Sequence, residues 1–331
     1  TSGGAEHIHA HMEDWLQCEW WDWEVYTANL TEQYAQIAVV GPNARKCLEK
    51  LGGMDVSKEA MAFMDWKDGT LGGFPVRIYR ISFSGELSYE IAVPASQGRA
   101  LWDKLIEAGK EFDATPYGTE ALHVMRAEKG FIMIGDETDG TVIPQDLGLN
   151  WAISKKKEDF IGKRAQSRED MAREDRWKLV GLETLDKSVL PDGAYVLADG
   201  TNANGQRNVQ GRVTSSYYSP TLERGIAMGL VLRGPDRMGE TIQLNRLGRS
   251  GAAITRLGPR RQLETLPGED EIGVADVRVG FHHLGQGAVL SVDLLGRVAL
   301  SQEHFREAVA TLDGHAARAG SEAVEGVGGR L

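Results

Sequence analysis

The sequence predicts an α+β domain reaching to about Arg164, then a small antiparallel β unit, barrel or sandwich, and then a tail of different texture. Three observations carry this reading. The β-branched run from Gln36 to Val40 ends at Gly41-Pro42 and gives way at Ala44 to a helical pattern, so strand and helix alternate early. Past a charged connection from Ser167 to Arg176, short β-rich pieces are separated by Gly, Asp, Asn and Pro turns. From about Leu247 the chain becomes rich in Gly, Arg, Ala and Leu, and no Lys follows Lys187.

The elements follow from local pattern. Ile8, Met12, Trp15 and Leu16 recur at helical spacing, which makes the opening segment an amphipathic helix. Gln36 to Val40 is a strand, and Ala44 to Leu51 is a helix whose start is defined by Pro42 and Asn43. Phe74 to Ile81 and Ser88 to Val93 read as a hairpin with Gly85 in its turn, the second strand stopping at Pro94. Leu101, Leu105 and Ile106 share a helical face, and Ala121 to Glu128 form a further helix ended by Gly130. Gly135 to Gly140 is a loop. The β pieces of the second unit are Leu179 to Leu182, Tyr195 to Leu197, Arg212 to Ser215 and Ile226 to Val231. In the tail, Ser301 to Leu312 has a helical face of Phe305, Val309 and Leu312.

Composition narrows the function. The 331 residues exceed the roughly 250 at which single cores stop growing, so more than one domain is expected. A formal charge of −11 opposes nucleic-acid binding, which draws on basic charge, and no apolar run has the roughly 20 residues of a bilayer span. Nucleic acid and membrane are therefore not expected partners. Cys18 and Cys47 form neither a CxxC nor a disulfide framework, which places the chain in a reducing cytoplasmic compartment. The opening at Thr1-Ser2-Gly3-Gly4 has no initiator Met and reads as a fragment start.

Several side chains could carry chemistry. His7, His9 and His11 are two apart, which scatters them around a helix instead of giving the i, i+4 pair of a helical metal site. Asp136, Glu137 and Asp139 lack the spacing of a calcium loop. No metal site is expected from either group. Lys155-Lys156-Lys157, with Lys163 and Arg164, form a basic patch in an acidic chain, either a solvated loop or an attractor of polyanions. Glu90, taken alone, is an ordinary outward-facing strand glutamate.

Four segments in order resemble the aminomethyltransferase superfamily of the glycine-cleavage T-protein, dimethylglycine dehydrogenase and sarcosine oxidase α subunits. They are Ala38-Val39-Val40-Gly41-Pro42-Asn43-Ala44, Arg80 to Glu90, Arg126-Ala127-Glu128-Lys129-Gly130, and Gly211-Arg212-Val213-Thr214-Ser215 followed by Ala227-Met228-Gly229. The opening Thr1 to Ala5, Met12 to Gln17, Thr31-Glu32-Gln33 and Gly135 to Thr141 resemble the heterotetrameric sarcosine oxidase α subunits in particular.

The resemblance implies three regions: a folate-binding aminomethyltransferase-like domain over 1–166, a C-terminal β-barrel over 177–246, and an atypical tail over 247–331. The tail departs from the family's ending, as a disordered, frameshifted or fused segment would, which leaves the barrel without an assured closing strand. The resemblance implies tetrahydrofolate as ligand, with Glu90 accepting from the pterin's 2-amino and N3–H donors. Trp151 would give a flat face for the pterin or aminobenzoyl ring, Phe83 a ring where relatives have Tyr, and Arg126 a further folate contact or, with Glu128, a structural ion pair. The family's assisting aspartate is expected upstream of Thr1, so no catalytic residue is expected here.

The implied activity is capture of the one-carbon unit of oxidised sarcosine as 5,10-methylene-tetrahydrofolate. FAD, FMN and NAD are expected only in the full complex with the β, γ and δ subunits. A glycine-cleavage-type aminomethyltransferase and a non-catalytic folate-binding module are the alternatives.

Overall fold

The computed structural model describes residues 2–245 and 252–258. The helix expected over Ser301 to Leu312 and the rest of the tail beyond Gly258 lie outside the described residues. Helix α1 spans Ser2–Cys18 and is followed by a cluster in which Trp15 stacks on Trp20 at 5.2 Å and Trp20 on Trp23 at 4.7 Å. Strand β1 is Tyr34–Val40, and helix α2 is Ala44–Leu51, with the bounds the sequence predicts. In α2, Ala44, Cys47 and Leu48 are buried at i, i+3 and i+4. The helix ends where Gly52 turns to φ +67°, its N–H reaching back to the Leu48 and Glu49 carbonyls.

Strands β2 (Trp66–Leu71) and β3 (Phe74–Tyr79) form a hairpin, and β4 (Ser88–Pro94) pairs with both β3 and β1, giving an antiparallel sheet in the order β1-β4-β3-β2. The β2–β3 turn is Gly72-Gly73, both at positive φ, as a two-residue hairpin of matching twist requires. One sheet face buries Ile37, Val76, Ile78, Tyr89, Ile91 and Val93 against α2 and helix α3 (Gly98–Gly109), whose Leu101 and Leu105 complete the core. The other face carries Gln36, Glu90, Ala92 and Tyr79, with Tyr79 and Ala92 in a smaller buried cluster.

Helix α4 (Thr119–Glu128) carries the chain to the second domain. That domain is a closed barrel of β5 (Trp177–Thr184), β6 (Tyr195–Leu197), β7 (Val209–Ser219), β8 (Arg224–Leu232), β9 (Thr241–Asn245) and β10 (Ala252–Gly258), in the order β10-β5-β8-β7-β6-β9. Its interior is filled by Val180, Leu182, Val196, Val213, Val231 and Leu244. A second cluster joins the domains: Ala127 of α4, Ile132, Leu147 and Leu149 pack on Leu179, Ile226, Met228 and Leu230 of the barrel.

One expectation is corrected here. The barrel does not stop at 246: β10 pairs Thr255 with Thr184 of β5 on one side and with Ile242 of β9 on the other, and so closes the ring. The closing strand lies in what the sequence reading assigned to the tail. Its sequence, Ala-Ala-Ile-Thr-Arg-Leu-Gly, is too short and too weakly alternating to mark a strand by itself.

Candidate binding site around Glu90

The sheet face turned away from α2 and α3 can be read by register. One row runs Ala38, Glu90, Tyr79, Trp66 across β1, β4, β3 and β2, and the next runs Gln36, Ala92, Arg77, Asp68. Arg77 is clamped by Asp68 through two bonds of 2.7 Å and stacks over Trp66 at 4.4 Å. Its charge is therefore neutralised within its own row. Glu90 receives none of it.

Glu90 is not the outward-facing strand glutamate that its position alone suggests. It is 4% exposed, and one oxygen accepts a hydrogen bond from the Gln36 amide nitrogen. Burial pushes the carboxyl up to about 8, and the Gln36 bond offsets only part of this. Tyr117, in the loop before α4 and 39% exposed, lies near enough that partial burial and then the Glu90 charge raise its phenol. Ala38, directly opposite Glu90, is exposed, so small side chains and open space adjoin a buried acceptor. Such a site is suited to binding a flat ring that presents adjacent N–H donors to a carboxylate.

Arg126, for which the sequence left a folate contact and a structural ion pair both open, makes a tie between the domains. Its side chain has no solvent exposure. Nη1 donates to the Phe131 carbonyl at 3.1 Å and to Glu137 at 2.8 Å, and Nη2 donates to Asp136 at 3.1 Å and to the Ser215 hydroxyl at 2.7 Å. Glu137, fully buried, also accepts from the Met133 N–H and from the Thr214 and Ser215 hydroxyls. Two residues along the helix, Glu128 accepts from Ser219. Ser215, Tyr217 and Ser219 share one face of β7 by its period of two, so the Arg-x-Glu pair grips a single barrel strand. Asp139 pairs with Arg212 of the same strand at 2.8 Å. The acidic loop is thus bound to the arginines and hydroxyls of the domain junction. A cavity of about 350 Å³ opens at this junction beside Asp139, Asp146, Arg176 and Arg212, away from Glu90 and with its guanidinium groups already paired.

The remaining expected residues are placed as follows. Phe83 is half-buried in the loop between β3 and β4, and Trp151, 46% exposed, lies on a single helical turn at Asn150–Ala152. Lys155, Lys156, Lys163 and Arg164 are exposed. His9 contacts the Thr27 hydroxyl at 3.1 Å. Among the described residues no group of three or more His, Cys, Asp or Glu side chains is arranged to hold a metal ion, and no helix is long and apolar enough to cross a membrane. Sequence reasoning missed Gln36 and Tyr117. Gln36 is two residues before Ala38, so the strand period places it on the Glu90 face once the register is known.

Two family models match the chain, the GCVT N-terminal domain over residues 1–157 and the glycine cleavage T-protein C-terminal barrel domain over residues 178–258. The chain belongs to the glycine-cleavage T-protein family. Within it, the chain is 49% identical over 247 residues to a sarcosine oxidase subunit alpha of Corynebacterium sp., a match covering 73% of this chain and 25% of that protein. It is 41% identical over 245 residues to the sarcosine oxidase subunit alpha of Rhizobium meliloti, again 73% of this chain and 25% of the relative. An aminomethyltransferase of Halothermothrix orenii is 35% identical over 219 residues, 65% of this chain and 58% of that protein. The chain spans about a quarter of the length of the sarcosine oxidase relatives. The glycine cleavage system aminomethyltransferase T from Bartonella henselae shares the fold, with a TM-score of 0.55 at 23% identity over 70% of this chain and 60% of that one. The α+β fold with a C-terminal barrel, and the aminomethyltransferase-like nature of the region, agree with the sequence reading. The family's barrel model ends at 258, where β10 ends.

Proposed function

We propose that this T-protein-family region binds tetrahydrofolate and captures the one-carbon unit of oxidised sarcosine as 5,10-methylene-tetrahydrofolate, as part of a sarcosine oxidase α subunit. The observation that carries the reading is Glu90: a buried carboxyl with exposed Ala38 opposite and one hydrogen-bond partner, able to accept from the adjacent N3–H and 2-amino donors of a reduced pterin. Similarity to the two sarcosine oxidase α subunits supports this setting over a free-standing aminomethyltransferase. Phe83 and Trp151 would serve as ring faces for the folate. In the same reading the β, γ and δ subunits are the partners, FAD, FMN and NAD belong to the assembled oxidase, and the complex is cytoplasmic.

The chemistry asked of this region is positional. Glu90 fixes the pterin, which holds the folate nitrogens toward an arriving electrophile so that capture competes with hydrolysis. Calorimetry with tetrahydrofolate tests the proposal: wild type binds, and Glu90→Ala weakens binding by about 2–3 kcal/mol through loss of a charge-assisted bidentate contact. Equal affinity for the two proteins would remove Glu90 from the site.

A further inference from the structure

Gln36 and Glu90 lie on the same face of adjacent strands, two residues out of direct register, with Gln36 opposite Ala92 and Glu90 opposite Ala38. At this diagonal a long amide side chain reaches its neighbour's carboxyl. The Gln36 amide nitrogen donates to Glu90, while its amide oxygen is buried with no hydrogen-bond partner. A buried acceptor left unpaired costs free energy, and its position beside a binding carboxyl gives it a use. The oxygen shares its carbon with the bonded nitrogen, so it lies within one amide width of Glu90 and extends the acceptor row.

We propose that Gln36 is the positioning and specificity residue of this site, its nitrogen orienting the Glu90 carboxylate and its oxygen accepting the outermost of three adjacent N–H donors on the ligand. This rests on the folate reading and deepens it. A 2-amino-4-oxopyrimidine edge carries three such donors in a row, the ring N3–H and both hydrogens of the amino group. The carboxylate takes N3–H and the nearer amino hydrogen, and Gln36 takes the far one. Substitution on the amino nitrogen then places a methyl group against the Gln36 oxygen and is rejected.

Burial pushes the Glu90 carboxyl up to about 8, and the bond donated by the Gln36 amide nitrogen offsets part of that rise. Ligand donors favour the carboxylate further, so the proton leaves on binding. The other titratable or charged groups on this face are Tyr34 on β1, Tyr79 across β3, Tyr117 in the loop before α4, and Arg77, which is held by Asp68. Gln36 is the group that hydrogen-bonds the carboxyl.

The test uses the full chain with Gln36→Met, which keeps the unbranched shape and removes both amide functions, and Gln36→Leu as a second variant. One arm follows the Glu90 carboxyl by carbon-13 NMR against pH, assigned by Glu90→Gln. Loss of the amide donor should move its midpoint upward, and an unchanged midpoint in both variants overturns the orienting role. The other arm compares 6-methyltetrahydropterin with its 2-methylamino derivative. Wild type should prefer the parent by at least about tenfold and Gln36→Met by no more than about threefold, roughly the worth of one hydrogen bond. Equal discrimination in wild type and variant overturns the specificity role. Wild type that binds neither pterin overturns the folate reading together with the ligand half of this proposal, while the carboxyl titration still decides the orienting half.

Discussion

Arg126 and Glu137 form a salt bridge of 2.8 Å in which neither side chain has any solvent exposure. The pair joins the end of α4 to the acidic loop, and through Ser215 it joins both to β7 of the barrel. The two domains meet on a charged axis inside an apolar cluster, where removing one partner is far more costly than removing both.

Arg126→Met should therefore destabilise the protein by about 3–5 kcal/mol, because it leaves Glu137 buried without its counter-charge. Arg126→Met combined with Glu137→Leu should recover a large part of that loss. Urea denaturation of the two proteins checks this, and a double variant no more stable than the single one would show that the hydroxyl contacts of β7 dominate instead.

Glu90 has the opposite consequence for stability. Its carboxyl is raised in the folded state, so the folded protein holds that proton more tightly than the unfolded chain does. Stability then declines as pH climbs from the ordinary carboxyl value through about 8. Glu90→Gln should be more stable than wild type at pH 8.5, by roughly 1–3 kcal/mol, and nearly equal to it at pH 4. Thermal melts at the two pH values measure the difference. A gain at a position proposed to bind ligand would be the usual exchange between stability and function.

Trp151 on a folate ring predicts a fluorescence response. Emission should fall on titration with tetrahydrofolate, and Trp151→Phe should remove most of the fall while keeping most of the affinity, since a smaller ring still stacks. Trp102→Phe on α3, where the side chain is 39% exposed, controls for indirect effects. A quench that survives Trp151→Phe would put the aromatic wall elsewhere.

Gly225 opens β8 against the turn after β5, and a Cβ there would lie 2.2 Å from the Ser188 carbonyl oxygen. The Gly225 N–H also bonds the Lys187 carbonyl at 2.8 Å, so the two backbones cannot separate without losing that bond. Gly225→Ala should cost about 2–4 kcal/mol in chemical denaturation, within the range of overpacking a tight contact.

Which parts were legible in the sequence follows from how local each cause is. Helix α2 was read to the residue because its start, apolar spacing and stop all lie between Gly41 and Gly52. Strand β2 was passed over because Lys67, Asp68 and Gly69 interrupt its β pattern. The signal for it was the Gly72-Gly73 pair ahead of Phe74, which reads as a hairpin turn. Strand β10 owes its form to neighbours on both sides and to little of its own composition. Glu90 was singled out by family resemblance, yet its burial and its partner Gln36 depend on the β1–β4 register. The fate of Arg126 was hidden for the same reason, since its barrel partners Ser215 and Tyr217 are 89 and 91 residues away.

The ring of the barrel also sets a kinetic order. Its last strand is the one that pairs with its first, so the circle stays open during synthesis until Gly258 has emerged. A contact of such sequence separation forms late, because the closure entropy of the whole intervening chain must be met before any pairing rewards it. Throughout that interval β5 and β9 face water as two bare edges with a gap one strand wide between them. Nascent copies of this chain are most exposed to misassociation through that gap, and the segment Ala252–Gly258 ends the exposure by filling it.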